Sequence, residues 1–393
     1  MHTLQLITIA LVCVSATYTV LSAVAIWRFA RLNPQSSNIN PQSPFTPPVT
    51  ILKPVCGLDA EAEENFRSFI KQDYPDFQVI FGALDHDDPA LVVALKLATK
   101  FDERDIRITS NPRIIGANLK VANLINMMDH AKHDLLIIAD SDMRVNHDYL
   151  RAVIAPFADE RVGLVTCPYR GVMPREATRW QRIVIALHAL GINADFMPSV
   201  MVAHLLGMRG FAFGSTIAIR RRVLDELGGL ARLKDHLADD YWLGQFVQHA
   251  GHKVVLSRYV VDNVLSPESF GEMFARRLRW ARTVKLCQPV GYLGSFVTHL
   301  VPLAVANAIA RGLHPDAWAT VVGAVLLRMV SHLVRGAGRD LWLLPMNDLL
   351  SFVVFLLSLL PGQIVWRGQK FRVTKDGVLD AIPTPPPSGA SRT

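Results

Sequence analysis

The chain has 393 residues, half of them hydrophobic, and a formal net charge of +7 at pH 7. This length can hold two or three domains. Because the apolar content is high for a purely soluble protein, we predict a membrane component. The basic residues are dispersed except beside apolar segments, where they suit anionic lipid headgroups or a diphosphate, so we expect no nucleic-acid partner. The four cysteines are scattered without metal-ligand spacing, which argues against a zinc site and a disulfide framework.

The N-terminal segment is apolar. No Lys, Arg, Asp or Glu occurs between Met1 and Arg28, and a helix over this segment is long enough to cross a hydrocarbon core of about 30 Å. A cleaved signal peptide is the alternative, but no Lys or Arg precedes the apolar run and no clear cleavage site follows it. We predict a membrane anchor over residues 1–28. Since Arg28 and Arg31 follow directly, the positive-inside rule places the next domain in the cytoplasm.

Residues 29–48 are rich in Pro, Ser and Asn, which predicts a semi-extended linker. After it, strand-like and helical patterns alternate. This alternation predicts an α/β domain over residues 49–285, with a mostly parallel sheet covered by helices on both faces. The predicted strands span 49–52, 77–84, 106–109, 135–139, 162–167, 214–220 and 253–262, and the predicted helices span about 60–70, 89–100, 119–130, 146–157 and 239–251.

Within this domain, the segment 180–208 is unusually apolar and has only Arg182 and Asp195 as charged residues. Gly191 and Pro198 interrupt it. This pattern is less typical of a membrane span than of helices lying at the bilayer surface. A buried pair of core helices is the alternative.

Residues 286–368 contain three further apolar segments, for which we predict transmembrane or interfacial helices. Arg328 interrupts the second segment and Asp348 the third. Three complete spans would put the C-terminal basic residues outside, in conflict with the other loops, so one segment is expected to be re-entrant or interfacial. Residues 369–393 are predicted to be a largely disordered tail. The three apolar segments within 286–368 span 287–310, 318–334 and 341–366.

The run LLIIADSDMRV, residues 135–145, is the most informative of the chain, because a buried strand ends in Asp140 and Asp142. Ligands of open α/β sheets bind beyond the carboxyl ends of strands. Alternate residues of an extended segment point the same way, so the two carboxylates can share one divalent cation that holds a diphosphate. A surface turn is the alternative. We predict a site for Mn²⁺ or Mg²⁺ at Asp140 and Asp142, as a nucleotide-sugar transferase requires.

Three more polar clusters fall at strand ends or helix starts. Asp88 can cap the helix that Pro89 opens, while a carboxylate there contacts a nucleobase or ribose. Lys120 stands in the first turn of a helix whose free N–H groups suit a phosphate or nucleoside, although an ordinary surface helix start is the alternative. Asp239 and Asp240 open another helix, where one carboxylate raises the proton affinity of the other and favours a general base.

A last cluster precedes the first C-terminal apolar segment. Arg276 and Arg279 lie three residues apart, on one face of a predicted helix. Two guanidinium groups can hold a leaving diphosphate. Snorkelling at the membrane surface is the alternative, and both roles are compatible.

Taken together, these motifs resemble ceramide glucosyltransferase, glycosyltransferase family 21, over roughly residues 49–285. The resemblance implies a GT-A fold, a Rossmann-like mixed sheet, with a UDP-sugar as donor and a membrane lipid as acceptor. The motifs that carry it are Leu52-Lys53-Pro54 with Gly57, Gln72-Asp-Tyr-Pro75, Asp85-His-Asp-Asp-Pro-Ala90, Asn118-x-Lys120, Asp140-Ser141, Ala238-Asp-Asp240-Tyr241, Arg276-x-x-Arg279-Trp280 and, near the end, Trp366-Arg367-x-x-x-Phe371-Arg372.

The resemblance also implies roles for individual residues. Asp88, Asp140 and Asp240 correspond to the three aspartates of the family, with Asp240 as the catalytic base. Arg276, Arg279 and Trp280 correspond to its (Q/R)xxRW motif and are expected to be catalytic with Asp240. The residues expected to bind the donor are Lys53, Asp88, Lys120, Asp140 and Asp239.

The acceptor stays open at this point. The chain has Asp142 where the animal ceramide enzymes carry Gly, and it is similar to the bacterial branch that adds N-acetylglucosamine to hopanoid lipids, in runs such as Ile138-Ala-Asp-Ser-Asp142 and Arg279-Trp-Ala-Arg-Thr283. We therefore expect a multi-pass enzyme, in a bacterial inner membrane, that moves glucose or N-acetylglucosamine to a ceramide or hopanoid hydroxyl on the cytoplasmic side, with inversion. The alternatives are a processive polysaccharide synthase of cellulose or hyaluronan type and a non-enzymatic nucleotide-sugar sensor.

Overall fold

The computed structural model of the chain describes residues 2–31, 45–334, 340–362, 364–366, 369–374 and 377–381. The first element is α1, His2–Arg31, an uninterrupted apolar helix of 30 residues. At about 1.5 Å per residue it exceeds a hydrocarbon core of about 30 Å, so its length and composition suit a membrane span. Most of the predicted linker, residues 32–44, lies outside the described residues.

The α/β domain is built on a seven-stranded mixed sheet of order β3-β2-β1-β4-β8-β6-β9. The strand β8 runs antiparallel to its neighbours β4 and β6, and the other pairings are parallel. The α/β class expected from the alternating pattern is confirmed. The strands are β1 Val49–Pro54, β2 Phe77–Ala83, β3 Asp105–Ser110, β4 Leu135–Ile138, β6 Val162–Thr166, β8 Ile217–Arg220 and β9 Lys253–Leu256.

A second, three-stranded sheet lies beside the first and has the order β5-β10-β7. It corrects one sequence prediction, the single strand at 253–262. The N–H of Ser257 still bonds the main sheet, at 2.7 Å from the carbonyl oxygen of Thr166, but the chain then leaves that sheet and pairs with β7 and β5. The three strands are β5 Met143–Arg144, β7 Tyr169–Val172 and β10 Val261–Val264.

Helices cover both faces of the main sheet, as predicted. Because successive strand residues point to opposite faces, Ile51 joins one hydrophobic core and Leu52 the other. The helices α2, α3 and α5 pack in the first core, and α4, α8 and α9 pack in the second. Their bounds are α2 Ala62–Ile70, α3 Pro89–Lys100, α4 Leu119–Met128, α5 Tyr149–Ile154, α8 Arg221–Glu226 and α9 Asp239–His249.

The apolar segment at 180–208 forms one continuous helical rod. It consists of α6 Arg179–Leu190, a π-helical turn Gly191–Phe196 and α7 Met197–Leu205. The π turn begins at Gly191 and keeps the helix continuous where we expected a break. Pro198 is tolerated because it lies in the first turn of α7. The rod is long and apolar enough to be a candidate span, and it packs against α1 through residues such as Tyr18 and Phe29.

In the described C-terminal part of the chain, the helix α10 is followed by the four α-helices of the apolar segments. The segment predicted at 287–310 is bent by 63° between its two apolar parts, as in a broken span or a re-entrant loop. Within the described residues, three helices have the length and composition of membrane spans, or four if the bent pair counts as one; α13, interrupted by Arg328, is not among them. The helices are α10 Phe270–Cys287, α11 Pro289–Gly294, α12 Leu300–Ala310, α13 Pro315–Leu333 and α14 Leu344–Leu359.

A third sheet follows the last helix. Its antiparallel strands are β11 Ile364–Trp366, β12 Gln369–Val373 and β13 Leu379–Ala381. We expected disorder over much of 369–393, and for the described part of that tail the expectation is wrong, because Phe371 and Leu379 are buried against the α/β domain. Residues 382–393 lie outside the described residues.

The charges that interrupt the apolar segments pair with one another. The guanidinium of Arg328 bonds both carboxylate oxygens of Asp348, at 2.9 and 2.6 Å, and lies 2.8 Å from Asp195 in the π turn. Arg277 of α10 donates to Asn347 at 3.1 Å. Ionic groups are tolerated among apolar helices only when they are paired. This charge network therefore joins the rod, α10, α13 and α14.

The pair Arg328–Asp348 gives a stability prediction. Arg328→Met leaves a buried carboxylate without its main partner and should destabilise the fold by about 3–5 kcal/mol. The double variant Arg328→Met, Asp348→Leu removes both charges and should recover much of that loss. The measurement is thermal unfolding of the detergent-solubilised protein, and an equal loss in both variants would contradict the prediction.

Candidate active site

The site is centred on Asp140, which follows β4 and is fixed from three directions. Its carbonyl oxygen accepts a hydrogen bond from the buried Lys53 of β1. Its N–H donates to the carbonyl oxygen of Gly214 at 3.0 Å. Its carboxylate pairs with Lys120, whose Nζ lies 2.7 Å from Oδ1. Two predicted donor-binding lysines thus meet at one aspartate.

Lys120 also brings in the start of α9. Its Nζ lies 3.6 Å from Oδ2 of Asp239. The other oxygen of Asp239 accepts from the side chain of Asn118 at 3.3 Å, and the side-chain oxygen of Asn118 caps α4. The carboxylate of Asp240 accepts from the N–H of Gly214 at 2.9 Å. Residues that are up to 187 positions apart, from Lys53 to Asp240, therefore form one cluster.

Gly214 is a site residue that sequence reasoning missed. Its carbonyl oxygen and N–H connect Asp140 to Asp240, as described above. A Cβ at this position would lie 2.4 Å from Oδ2 of Asp140 and 3.1 Å from Nζ of Lys120. Only glycine leaves room for that ion pair. The available signal was a glycine at the start of the predicted strand 214–220.

Asp142 lies beside a second carboxylate that the sequence did not flag, Asp59. The side chain of Asn263 donates to Asp142 at 2.7 Å, and the hydroxyl of Ser141 donates to Asp59. Burial, reinforced by Asp140 and Asp59, raises the pKa of Asp142 to about 7. Burial likewise raises the pKa of Asp59. The strand end is therefore an acidic, partly desolvated surface.

Lys53 is the cation buried beneath this acidic surface. Burial lowers the pKa of Lys53 to about 7, and Asp142, Asp140 and Asp59 oppose that shift. Its ammonium lies 3.9 Å from the centre of the Phe69 ring. Lys53 thus holds the loop at Asp140 through the backbone, and its side chain is not exposed to a ligand.

Asp140 and Asp142 suit a divalent cation in an open site. Within the described ranges, no three His, Cys, Asp or Glu side chains gather into a ready-made metal cage. Mg²⁺ needs no such cage, because it binds through one or two carboxylates and completes its shell with substrate phosphates and water. The donors are carboxylate oxygens, which Mg²⁺ and Mn²⁺ prefer. The surplus of buried negative charge around Asp142 fits a cation there.

Asp88 caps α3, as the sequence predicted, and makes a second contact with the backbone. Its Oδ1 accepts from the N–H of Ala90 at 2.9 Å and caps α3, and its Oδ2 accepts from the N–H of Gly57 at 2.8 Å. Both oxygens are thus engaged with the backbone. Asp88 holds the loop that leads to Asp59, so a direct contact with a nucleoside stays a prediction.

The arginines of α10 have different surroundings. Arg276 lies 3.2 Å from Glu268, whose other oxygen is 2.6 Å from His188, and the His188 ring lies 5.5 Å from that of Trp280. Arg276 also acts electrostatically on the carboxyl group of Asp59, which places it at the edge of the acidic cluster.

Arg277 and Arg279 have opposite surroundings. Arg277 points into the charge network of the apolar helices. Arg279 is half-buried, burial and Arg276 lower the pKa of its guanidinium, and among the described residues no carboxylate pairs with it. An unpaired guanidinium in this position suits an anionic ligand.

The electrostatics of Asp240 suit proton transfer. Burial, reinforced by Asp239, raises the pKa of Asp240 to about 6, and Lys120 opposes the shift. A base works best when its pKa lies near the operating pH. Asp240 is therefore a stronger base than an ordinary aspartate and still ionised at neutral pH.

Comparisons with known proteins identify the family of the chain. The sequence model described as Glycosyl transferase family 21 matches residues 7–379. The chain is 24% identical over 355 residues to ceramide glucosyltransferase 3 of Caenorhabditis elegans, covering 84% of this chain and 74% of the relative. It is 23% identical over 353 residues to ceramide glucosyltransferase 1 of the same organism, covering 85% and 73%.

Among solved structures, the chain is similar to a mannosyltransferase from Pyrobaculum calidifontis in complex with GDP-Man and Mn²⁺. The TM-score is 0.51 at 19% identity, over 90% of this chain and 99% of that chain. A likeness at this identity concerns the fold alone. It confirms the GT-A architecture expected from the sequence.

Proposed function

We propose that this chain, which belongs to glycosyl transferase family 21, is a membrane-bound inverting enzyme that moves a hexose from a UDP-sugar to the hydroxyl group of a membrane lipid. Sugar transfer is the activity of the family. The observation that carries the finer proposal is the convergence of Asp140, Asp239 and Asp240 around Lys120, beside apolar helices.

The donor site is assigned to the strand ends. Lys120 and Asp239 bind the nucleotide, Lys53 fixes the Asp140 loop, and Asp88 fixes the loop before Asp59. A divalent cation on Asp140 and Asp142 would supply positive charge that polarises the diphosphate. Arg276, at the edge of the same cluster, and Arg279, three residues further along α10, stabilise negative charge on the departing UDP.

Asp240 is the proposed general base. Its carboxylate takes the proton of the acceptor hydroxyl, the hydroxyl oxygen forms a bond to the anomeric carbon, and the bond from that carbon to the phosphate oxygen breaks. The electron pair leaves with UDP. A single displacement of this kind inverts the anomeric centre.

The acceptor is proposed to be a lipid, ceramide or a hopanoid, and the sugar glucose or N-acetylglucosamine. Two aromatic side chains link the site to the apolar helices: Trp280 and Phe213 pack in one cluster with α1, α6 and α7. A lipid hydroxyl at the bilayer surface is thereby brought close to Asp240. Arg28 and Arg31 favour a cytoplasmic active site, in a bacterial inner membrane.

One experiment identifies donor and acceptor together. Membranes that contain the protein are incubated with labelled UDP-glucose or UDP-N-acetylglucosamine, and the labelled lipid is analysed by mass spectrometry. We expect one sugar on one lipid class. A labelled polymer would instead support a polysaccharide synthase, and no labelled product in either case would refute the proposal.

Asp240→Asn tests the general base. The amide keeps an oxygen that can accept from Gly214 but takes up no proton, so the transfer rate should fall by about 10²–10⁴-fold while UDP binding stays within about twofold. Steady-state kinetics and UDP titration of the purified protein measure the two effects. Asp102→Asn, at an exposed position, is the control; transfer at the wild-type rate by Asp240→Asn removes Asp240 from the mechanism.

The raised pKa of Asp240 predicts the acid limb of the pH profile. The base is active when ionised, so kcat/KM should rise with pH through about 6, above the range of an ordinary aspartate. Asp239→Asn removes a charge that raises the pKa of Asp240, so it should move the limb to lower pH, whatever its effect on the maximum rate. A limb near pH 4 in the wild type contradicts this assignment.

Gly214→Ala tests the close packing of the site. The added Cβ displaces the carboxylate of Asp140 and opens its pair with Lys120, so transfer should fall by about tenfold or more. Gly271→Ala is the matched control, because a Cβ there meets nothing within 4 Å. Activity and melting temperature are compared for both variants, and full activity of Gly214→Ala is the contrary outcome.

A further inference from the structure

The C-terminal sheet packs beside the loop 235–238, which leads into α9. The N–H of Leu237 donates to the carbonyl oxygen of Gly377 at 3.1 Å, and the N–H of Leu379 donates to that of Asp235 at 2.7 Å. The backbone of the loop thus forms one antiparallel bridge with the C-terminal chain, between His236 and Val378. The catalytic residues follow within a few positions.

Side chains reinforce this backbone pairing. Leu237, Phe371 and Leu379 form a buried hydrophobic cluster, with 8%, 2% and 5% of their surfaces exposed. Ala117, before α4, and Leu286, near the end of α10, pack against it. The cluster therefore joins the C-terminal strands to the loop 235–238, the start of α4 and the end of α10.

Gly377 is required at its position for two reasons. Its φ is +75°, a left-handed conformation that favours glycine. A Cβ there would also lie 2.3 Å from Nε1 of Trp242, which stands in α9 two positions after Asp240. The glycine lets the C-terminal chain lie directly against the helix that carries the proposed base.

The opposite side of the loop is held by the start of α4. The side chain of Asn118 donates to the carbonyl oxygen of His236 at 2.8 Å, and the N–H of Ala117 donates to the carboxylate of Asp235 at 2.8 Å. The loop 235–238 is therefore hydrogen-bonded on one side to the start of α4 and on the other side to the C-terminal strands. Loss of either support frees one side of it.

We propose that β12 and β13 are a positioning element of the active site, which holds the loop 235–238 so that Asp239 and Asp240 keep their places. The proposal rests on the proposed function, since it takes Asp240 as the base. Gly377 and Leu379 are its positioning residues. A displacement of about 1 Å at a reacting group costs about 10²-fold in rate, so such a support has a kinetic effect without touching a substrate.

The same pairing constrains the path of the chain through the membrane. Strand β13 bonds the α/β domain directly, so both lie on one side of the bilayer. The chain must then cross an even number of times between α10 and β11, which excludes three complete spans there.

The test compares alanine substitutions at two glycines whose backbone has a left-handed conformation. Gly377→Ala meets Trp242, whereas Gly251→Ala has a similar φ of +88° and meets nothing within 4 Å. We expect Gly377→Ala to lower kcat about tenfold, with little change in melting temperature, and to speed hydrogen exchange at 235–240. Gly251→Ala should show normal exchange at 235–240 and a kcat close to wild type.

Two outcomes overturn the proposal: unchanged kcat in Gly377→Ala, or unchanged exchange at 235–240. The exchange result stands without any activity, so it separates a failure here from a failure of the proposed function. If Gly377→Ala does not fold, Leu379→Ala replaces it, because that variant keeps the backbone pairing and trims only the cluster. Wild-type kcat in Leu379→Ala then refutes the positioning role.

Discussion

The site depends on one largely buried ammonium group, that of Lys120, placed between Asp140 and Asp239. These carboxylates come from the end of a central strand and the start of a distant helix, and with Asp240 beside them they would repel one another without a cation. A buried charge is tolerated only when it is paired, so the lysine and the carboxylates require each other. Gly214, which leaves room for the pair and bonds both Asp140 and Asp240, makes that contact geometrically possible.

Helix α10 connects the chemistry to the membrane-associated part of the chain. Adjacent arginines on it face different environments: Arg276 meets Glu268 at the site, and Arg277 meets Asn347 among the apolar helices. A rotation of α10 that displaced one arginine would displace the other. The charge network around Arg328 and Asp348 therefore contributes to the orientation of Arg276 and Arg279, although it lies away from the active site.

Local patterns failed where tertiary contacts override them. The run at 253–262 has the composition of one strand, yet two sheets compete for it and it divides between them. The apolar rod at 180–208 contains Gly191 and Pro198, yet a π turn keeps it continuous. The composition of the tail predicts disorder. However, Phe371 and Leu379 pack against the buried Leu237, and this contact stabilises the C-terminal strands.

The sequence alone determined the α/β alternation, the N-terminal apolar helix and most of the acidic and basic motifs, because these follow from hydrophobic periodicity and from residue types at strand ends, which are local properties. Only the tertiary structure decided that Asp59 and Gly214 belong to the cluster, that Asp88 also bonds the backbone of Gly57, that Arg277 joins the charge network, and that the C-terminal strands border the active site. Each of these depends on which surfaces meet across long separations in the chain, and no local pattern encodes such a meeting.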